Sequence, residues 1–181
     1  MRNGVFQTGN PRWSAVFSLF MGVMALIAAE FIPVSLLTPI ARDLAVTEGM
    51  AGQTVTAVGV FAVLTSLLLA PLTGNIDRRR ILLAFSAMLA ASYMLIGIAP
   101  TYPIMLIGRA ILGICVGGFW SLASAVTLQL VPTKDVPRAL SIVYAGVSVA
   151  TIIALPVASW IGHLIGWRNV FFLGALMAAI G

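Results

Sequence analysis

Charge is what this sequence has least of. Only 8% of its 181 residues are Asp, Glu, Lys or Arg, against about 25% in an ordinary soluble domain. Hydrophobic residues make up 61% and the mean hydropathy is +1.10. A chain of this size cannot hide so much hydrocarbon from water, which excludes a cytosolic enzyme and a nucleic-acid-binding module. There is one cysteine, Cys115, so no internal disulfide forms. There is one histidine, His163, beside a polar gap and without ligand partners, so no metal site is expected. The five acids are scattered. Hydrolysis inside a membrane needs paired acids, a nucleophile–base pair or a metal cluster, and none is present. No enzyme and no cofactor is expected.

What the sequence does have is long apolar runs. They cover 13–37, 51–73, 81–99, 104–130 and 139–161, and a sixth begins near 170 and ends at 181. About 20 residues of helix cross a bilayer core. Membrane β-barrels instead alternate apolar and polar residues, and nothing here alternates that way. The composition therefore predicts an all-α, polytopic transmembrane helical bundle. The first run is too long for the apolar part of a signal peptide and is expected to stay as a membrane helix. The sixth offers 12 residues, about 18 Å of helix, which is too short to span. The chain is expected to be a piece of a longer protein, or residues were not included.

Net charge is +5. Arg2, Arg12, Arg78, Arg79, Arg80, Lys134 and Arg138 fall on one side of the predicted bundle, and only Arg42 and Arg168 on the other. Basic residues favour the cytoplasmic side. Residues 1–12 are thus expected to form a cytoplasmic tail and 13–181 a membrane domain in the lipid bilayer. The basic excess reports topology, and no nucleic-acid partner is expected.

Three stretches resemble signatures of the major facilitator superfamily. Gly74-Asn75-Ile76-Asp77-Arg78-Arg79-Arg80 is similar to its glycine–aspartate–basic loop. Arg109-Ala110-Ile111-Leu112-Gly113-Ile114-Cys115-Val116-Gly117 is similar to its arginine-xxx-glycine-xxx-glycine signature. Leu155-Pro156-Val157-Ala158-Ser159-Trp160-Ile161-Gly162 is a degenerate version of its antiporter glycine–proline motif. Glu30-Phe31-Ile32-Pro33, Ala51-Gly52-Gln53-Thr54, Gly117-Gly118-Phe119-Trp120 and Gly166-Trp167-Arg168-Asn169-Val170-Phe171 narrow the resemblance to the drug:proton antiporter branch, and within it to bacterial purine ribonucleoside efflux transporters.

The resemblance implies two six-helix halves, of which this chain is the first, with the second half of the same transporter as its missing partner. It implies export of a small molecule against protons across the bacterial inner membrane. Asp77, Arg78, Arg80, Gly113, Gly117 and Pro156 are its conformational-motif residues. Export of drugs or sugars by the same branch is the alternative within transport. A non-transporting membrane protein is the alternative outside it.

Glu30 and Arg109 are the charges inside the apolar runs. An ionisable group there costs at least about 2.5–3.5 kcal/mol by insertion scales, so function is the default reading. Glu30 lies about 10 Å, and Arg109 about 8 Å, from the ends of their runs on the same side. They are expected to share a depth, face one water-filled pocket and interact directly or through water. Arg109 does not lose its proton in practice, which leaves Glu30 as the candidate proton carrier. A permanent structural ion pair is the competing reading. Pro33 removes the usual donor to the Ala29 carbonyl, and Pro156 the donor to Ile152.

Steps of 4, 7, 11 and 18 residues from Arg109 reach Gly113, Val116, Trp120 and Thr127, all within about 40° around a helix. Trp120 on that face offers either a stacking surface for a flat heterocycle or ordinary packing. Gly113 and Gly117 permit close helix approach. Ser141, Tyr144, Ser148, Thr151 and Ser159 form a polar stripe on the fifth run. They are candidates, with Gln53, for hydrogen bonds either to substrate or to neighbouring helices.

Overall fold

The computed structural model describes residues 12–72 and 78–180. Among the described residues there is no strand. The order is α1 (Trp13–Ser35), α2 (Leu37–Asp43), α3 (Glu48–Leu72), α4 (Arg78–Ile98), α5 (Tyr102–Leu130), a 3-10 turn (Thr133–Asp135), α6 (Val136–Val149), a π turn (Ala150–Ala154), α7 (Leu155–Ile165) and α8 (Trp167–Ile180). Five stretches are long and apolar enough to cross a membrane: Trp13–Ser35, Glu48–Leu69, Arg80–Ile98, Tyr102–Leu130 and Thr133–Ile153. The last apolar run is helical from Trp167, three residues earlier than its hydropathy suggested.

Two proline-bearing runs are broken, but only the second break falls on the carbonyl that its predicted proline, Pro156, frees. The first stays helical through Pro33 to Ser35, turns at the buried Leu36 and resumes as the short α2, where Pro39 lacks the N–H that would bond the Ser35 carbonyl. The fifth is helical from Val136 to Ile165, beyond the 139–161 expected, and is interrupted by the π turn that ends two residues before Pro156. Proline has no N–H to close an i→i−4 bond, and a π turn re-spaces the ladder around the gap.

α5 is the spine. It packs along α3 on one side and α4 on the other, while α1 crosses it and lies against α6; α8 covers α4. The apolar drive is weak when lipid is the solvent, so small residues decide which helices approach closely. A Cβ at Gly113 would meet the Val58 carbonyl and the Phe61 Cβ of α3, and one at Gly117 would overlap the Ala62 carbonyl. The two expected small residues therefore seat α5 on α3. Gly117→Val is expected to destabilise the bundle by about 3 kcal/mol or more, because backbone cannot yield as a side chain can. Gly59→Ala, on α3 with open space around it, should be neutral. Thermal unfolding of the purified protein in detergent reads both, and equal melting of the two variants would refute this account of the seam.

The two ends of the bundle are tied differently. At the end where the chain enters, Arg12 N–H donates to the Leu130 carbonyl at 3.0 Å and the Arg138 guanidinium lies 5.4 Å over the Trp13 ring. At the far end, Arg168 pairs with Asp43, donates to the Ala99 carbonyl at 2.7 Å and stacks over Trp167. Trp167 Nε1 also donates to Asp43. One cluster thus joins the ends of α2, α4 and α8.

Candidate functional site

Arg109 is fully buried, at 0% exposure, and each of its three nitrogens donates to main chain. Nε donates to the Thr54 carbonyl of α3 at 3.1 Å. Nη1 donates to the Ala29 carbonyl at 2.6 Å and Nη2 to the Glu30 carbonyl at 2.9 Å. Ala29 is the residue whose helical partner Pro33 removes. The guanidinium fork fills that vacancy and takes the next carbonyl with its second arm, a geometry that a planar, permanently charged group supplies and lysine does not.

The predicted shared depth of Glu30 and Arg109 is thus observed, but two details differ. Arg109 faces protein rather than a water-filled pocket, because three carbonyls from two helices converge on it. It reaches the main chain of Glu30 and not the carboxylate; among the described residues the ion pair within 4 Å is Asp43–Arg168. The permanent Glu30–Arg109 salt bridge is therefore not what this structure contains. Glu30 itself is partly buried on α1, held at its backbone with its side chain outside that knot.

A second cluster lies further along α5. Trp120 and Tyr144 stack, with ring centroids 5.6 Å apart and planes at 15°. Phe119 meets Trp120 edge-on at 6.0 Å. The Tyr144 hydroxyl is 3.3 Å from Ser124 Oγ, and Tyr144 is 44% exposed. Two residues chosen from separate helices by separate periodicities are brought together into one aromatic platform with a hydroxyl pair at its rim. Ser124 was missed by the sequence reading. It sits one turn beyond Trp120, and the same period would have found it.

The other candidates divide. Ser148 is exposed on α6, one turn beyond Tyr144. The Thr151 hydroxyl is turned back onto the Val147 and Ser148 carbonyls at 3.0 and 3.1 Å, as Ser141 is onto Pro137. These serve the helix itself. Gln53 lies next to Thr54 and its Oε1 is 3.4 Å from the Tyr102 hydroxyl. It belongs to the Arg109 level, about 16 Å along α5 from Trp120, so the structure does not bring it to the platform. Pro156 follows the π turn. Arg78 opens α4 and Arg80 is exposed. Asp77 lies outside the described residues. A groove of about 590 Å³ at the far end, lined by Pro39, Arg42, Asp43, Trp167, Arg168 and Asn169 among others, is remote from the platform, and its central charges are already paired.

Broken membrane helices, a charge knot on the carbonyl that Pro33 frees and an aromatic platform at a different depth define a polytopic membrane protein built as carriers are. The chain belongs to the Major Facilitator Superfamily, whose family model matches residues 13–181. It corresponds to the first six-helix half of that fold.

Among curated relatives it is 46% identical over 170 residues to the purine ribonucleoside efflux pump NepI of Shigella sonnei, covering 94% of this chain and 43% of that protein. It is 45% identical to NepI of Salmonella paratyphi B with the same coverage. It is 48% identical over 159 residues to the transcription regulatory protein OpdE of Pseudomonas aeruginosa, covering 88% of this chain and 40% of that one. The chain therefore spans less than half the length of these relatives. A crystal structure of a bacterial homologue of the human lysosomal transporter Spinster superposes with a TM-score of 0.79 at 16% identity, over 99% of this chain and 43% of the other. That likeness concerns the fold.

Proposed function

We propose that the transporter to which this half belongs exports purine ribonucleosides in exchange for protons, by alternating access across the bacterial inner membrane, with residues 1–12 on the cytoplasmic side. The observation that carries the reading is the 45–46% identity to purine ribonucleoside efflux pumps along 94% of the chain. The platform suits such a cargo. A flat purine extends the Trp120–Tyr144 stack, and the Tyr144 and Ser124 hydroxyls are placed to meet polar edges or ribose. The second half of the transporter supplies the facing wall. Glu30 carries the proton, while Arg109 holds the α1 segment on which it sits.

The test uses the transporter expressed at full length. It should raise tolerance to toxic purine nucleosides and lower retention of labelled inosine. A stacking contact is worth about 0.5–1.5 kcal/mol beyond burial, so Trp120→Ala should cut nucleoside export about 2- to 10-fold, and Trp120→Phe less. Equal losses at equal protein levels would refute stacking. Unchanged purine tolerance beside clear resistance to an unrelated drug would replace this cargo with the multidrug alternative. The 48% identity to OpdE favours a second reading, a regulatory role. Altered transcription on deletion, with purine flux intact, would establish it instead.

A further inference from the structure

Ser92 and Tyr93 lie side by side in α4, and no part of the transport reading uses them. Both are buried, at 1% exposure. The Ser92 hydroxyl donates to the Gly108 carbonyl of α5 at 2.8 Å. The Tyr93 hydroxyl donates to the Ala25 carbonyl of α1 at 2.7 Å. Gly108 immediately precedes Arg109. Ala25 stands one turn before Ala29, whose carbonyl Arg109 holds. One dipeptide on a third helix therefore grips both sides of the Glu30–Arg109 junction.

The room for this grip is built. The Tyr93 ring packs against Phe171 at 6.1 Å, and any Cβ at Gly174 would overlap it. In an apolar run, alanine and phenylalanine would fill these positions without bringing hydroxyls that must find buried partners. The hydroxyls are directed at main chain of the two helices whose relative register places Glu30.

We infer that Ser92 and Tyr93 are positioning residues for proton coupling, fixing α1 against α5 so that the Glu30 carboxylate stands at a set distance from the Arg109 charge. The inference rests on the reading of Glu30 as proton carrier. A change in that distance alters how strongly the guanidinium field acts on the carboxylate, so the signature is a displaced pH profile rather than a lower rate alone.

The experiment compares Tyr93→Phe, Ser92→Ala and Glu30→Gln in the full-length transporter reconstituted in liposomes. Proton-driven nucleoside export is measured against pH, and exchange is measured without a gradient. Both α4 variants should retain exchange while the pH of half-maximal export moves by about half a unit or more, and the double variant should move further. If Tyr93→Phe fails to accumulate, Ser92→Ala carries the test alone. A lower maximum with an unmoved midpoint, in a background where Glu30→Gln abolishes coupling, overturns the positioning role and leaves the carrier reading intact. Full coupling in Glu30→Gln overturns the carrier reading, and this inference with it.

Discussion

Arg109→Leu should deplete the folded protein rather than merely slow it. The substitution leaves the Ala29, Glu30 and Thr54 carbonyls without the donors they have at 2.6–3.1 Å. Hydrogen bonds to a charged group contribute about 1.5–3 kcal/mol each, and an acceptor stranded in a buried site costs about 1–3 kcal/mol. Three lost bonds to the charge, with the Ala29 carbonyl left stranded, amount to roughly 5 kcal/mol, a large part of what holds a domain of this size folded. The burden falls on Ala29 in particular, because Pro33 offers it no helical N–H. Pro33→Ala in the same chain restores that N–H and should recover part of the loss, whereas Pro33→Ala alone should change stability little. Arg109→Lys keeps the charge but not the fork, so it should fold less stably than wild type and more stably than the leucine variant. Thermal melts in detergent rank the four variants against wild type. Wild-type melting of Arg109→Leu would refute the account.

The bundle was legible because lipid leaves a simple record: apolar runs of spanning length, charges at their ends and a proline, Pro156, beside one of the breaks. The π turn before Pro156 shows the limit. A proline marks where a helical bond must fail, but whether the chain answers with a kink, a bulge or a new helix depends on what packs there. Depth along a helix was equally legible, which is why Glu30 and Arg109 meet. Direction was only half legible. A period of 3.6 places Arg109 and Trp120 on one face, yet that face passes from three backbone carbonyls at one level to Tyr144 at another. The sequence does not say which neighbour stands opposite each level. Main-chain acceptors leave little trace in residue identity: Pro33 marked the Ala29 carbonyl as freed, but nothing marked Arg109 as its donor, nor the Gly108 and Ala25 carbonyls that Ser92 and Tyr93 grip. The Asp43–Arg168 pair was hidden for a related reason, since its partners are 125 residues apart and each alone reads as a loop charge.

Glu30→Gln is expected to separate exchange from uphill transport. The amide matches the carboxyl in size and hydrogen-bonding capacity but does not titrate. Because Arg109 grips the Glu30 backbone carbonyl and not its side chain, the substitution leaves that knot whole. The variant should therefore insert and melt like the parent, unlike Arg109→Leu. A salt bridge would have given the opposite result, since removing one partner of a buried pair strands the other charge and destabilises by about 3–5 kcal/mol. Stability alone thus separates the two roles first given to this pair. On the proposed function, the cavity with its fold intact should still alternate and exchange nucleoside across the membrane, while no proton would be carried back on Glu30. An imposed proton gradient should then drive export at less than about a tenth of the parental rate, since a tenfold loss corresponds to only about 1.4 kcal/mol of lost driving coupling. Glu30→Asp, with a titrating group on a shorter stem, should keep partial coupling. Gradient-driven export at the parental rate in Glu30→Gln would remove Glu30 as the carrier. Its backbone would then remain as an anchor for Arg109 and nothing more.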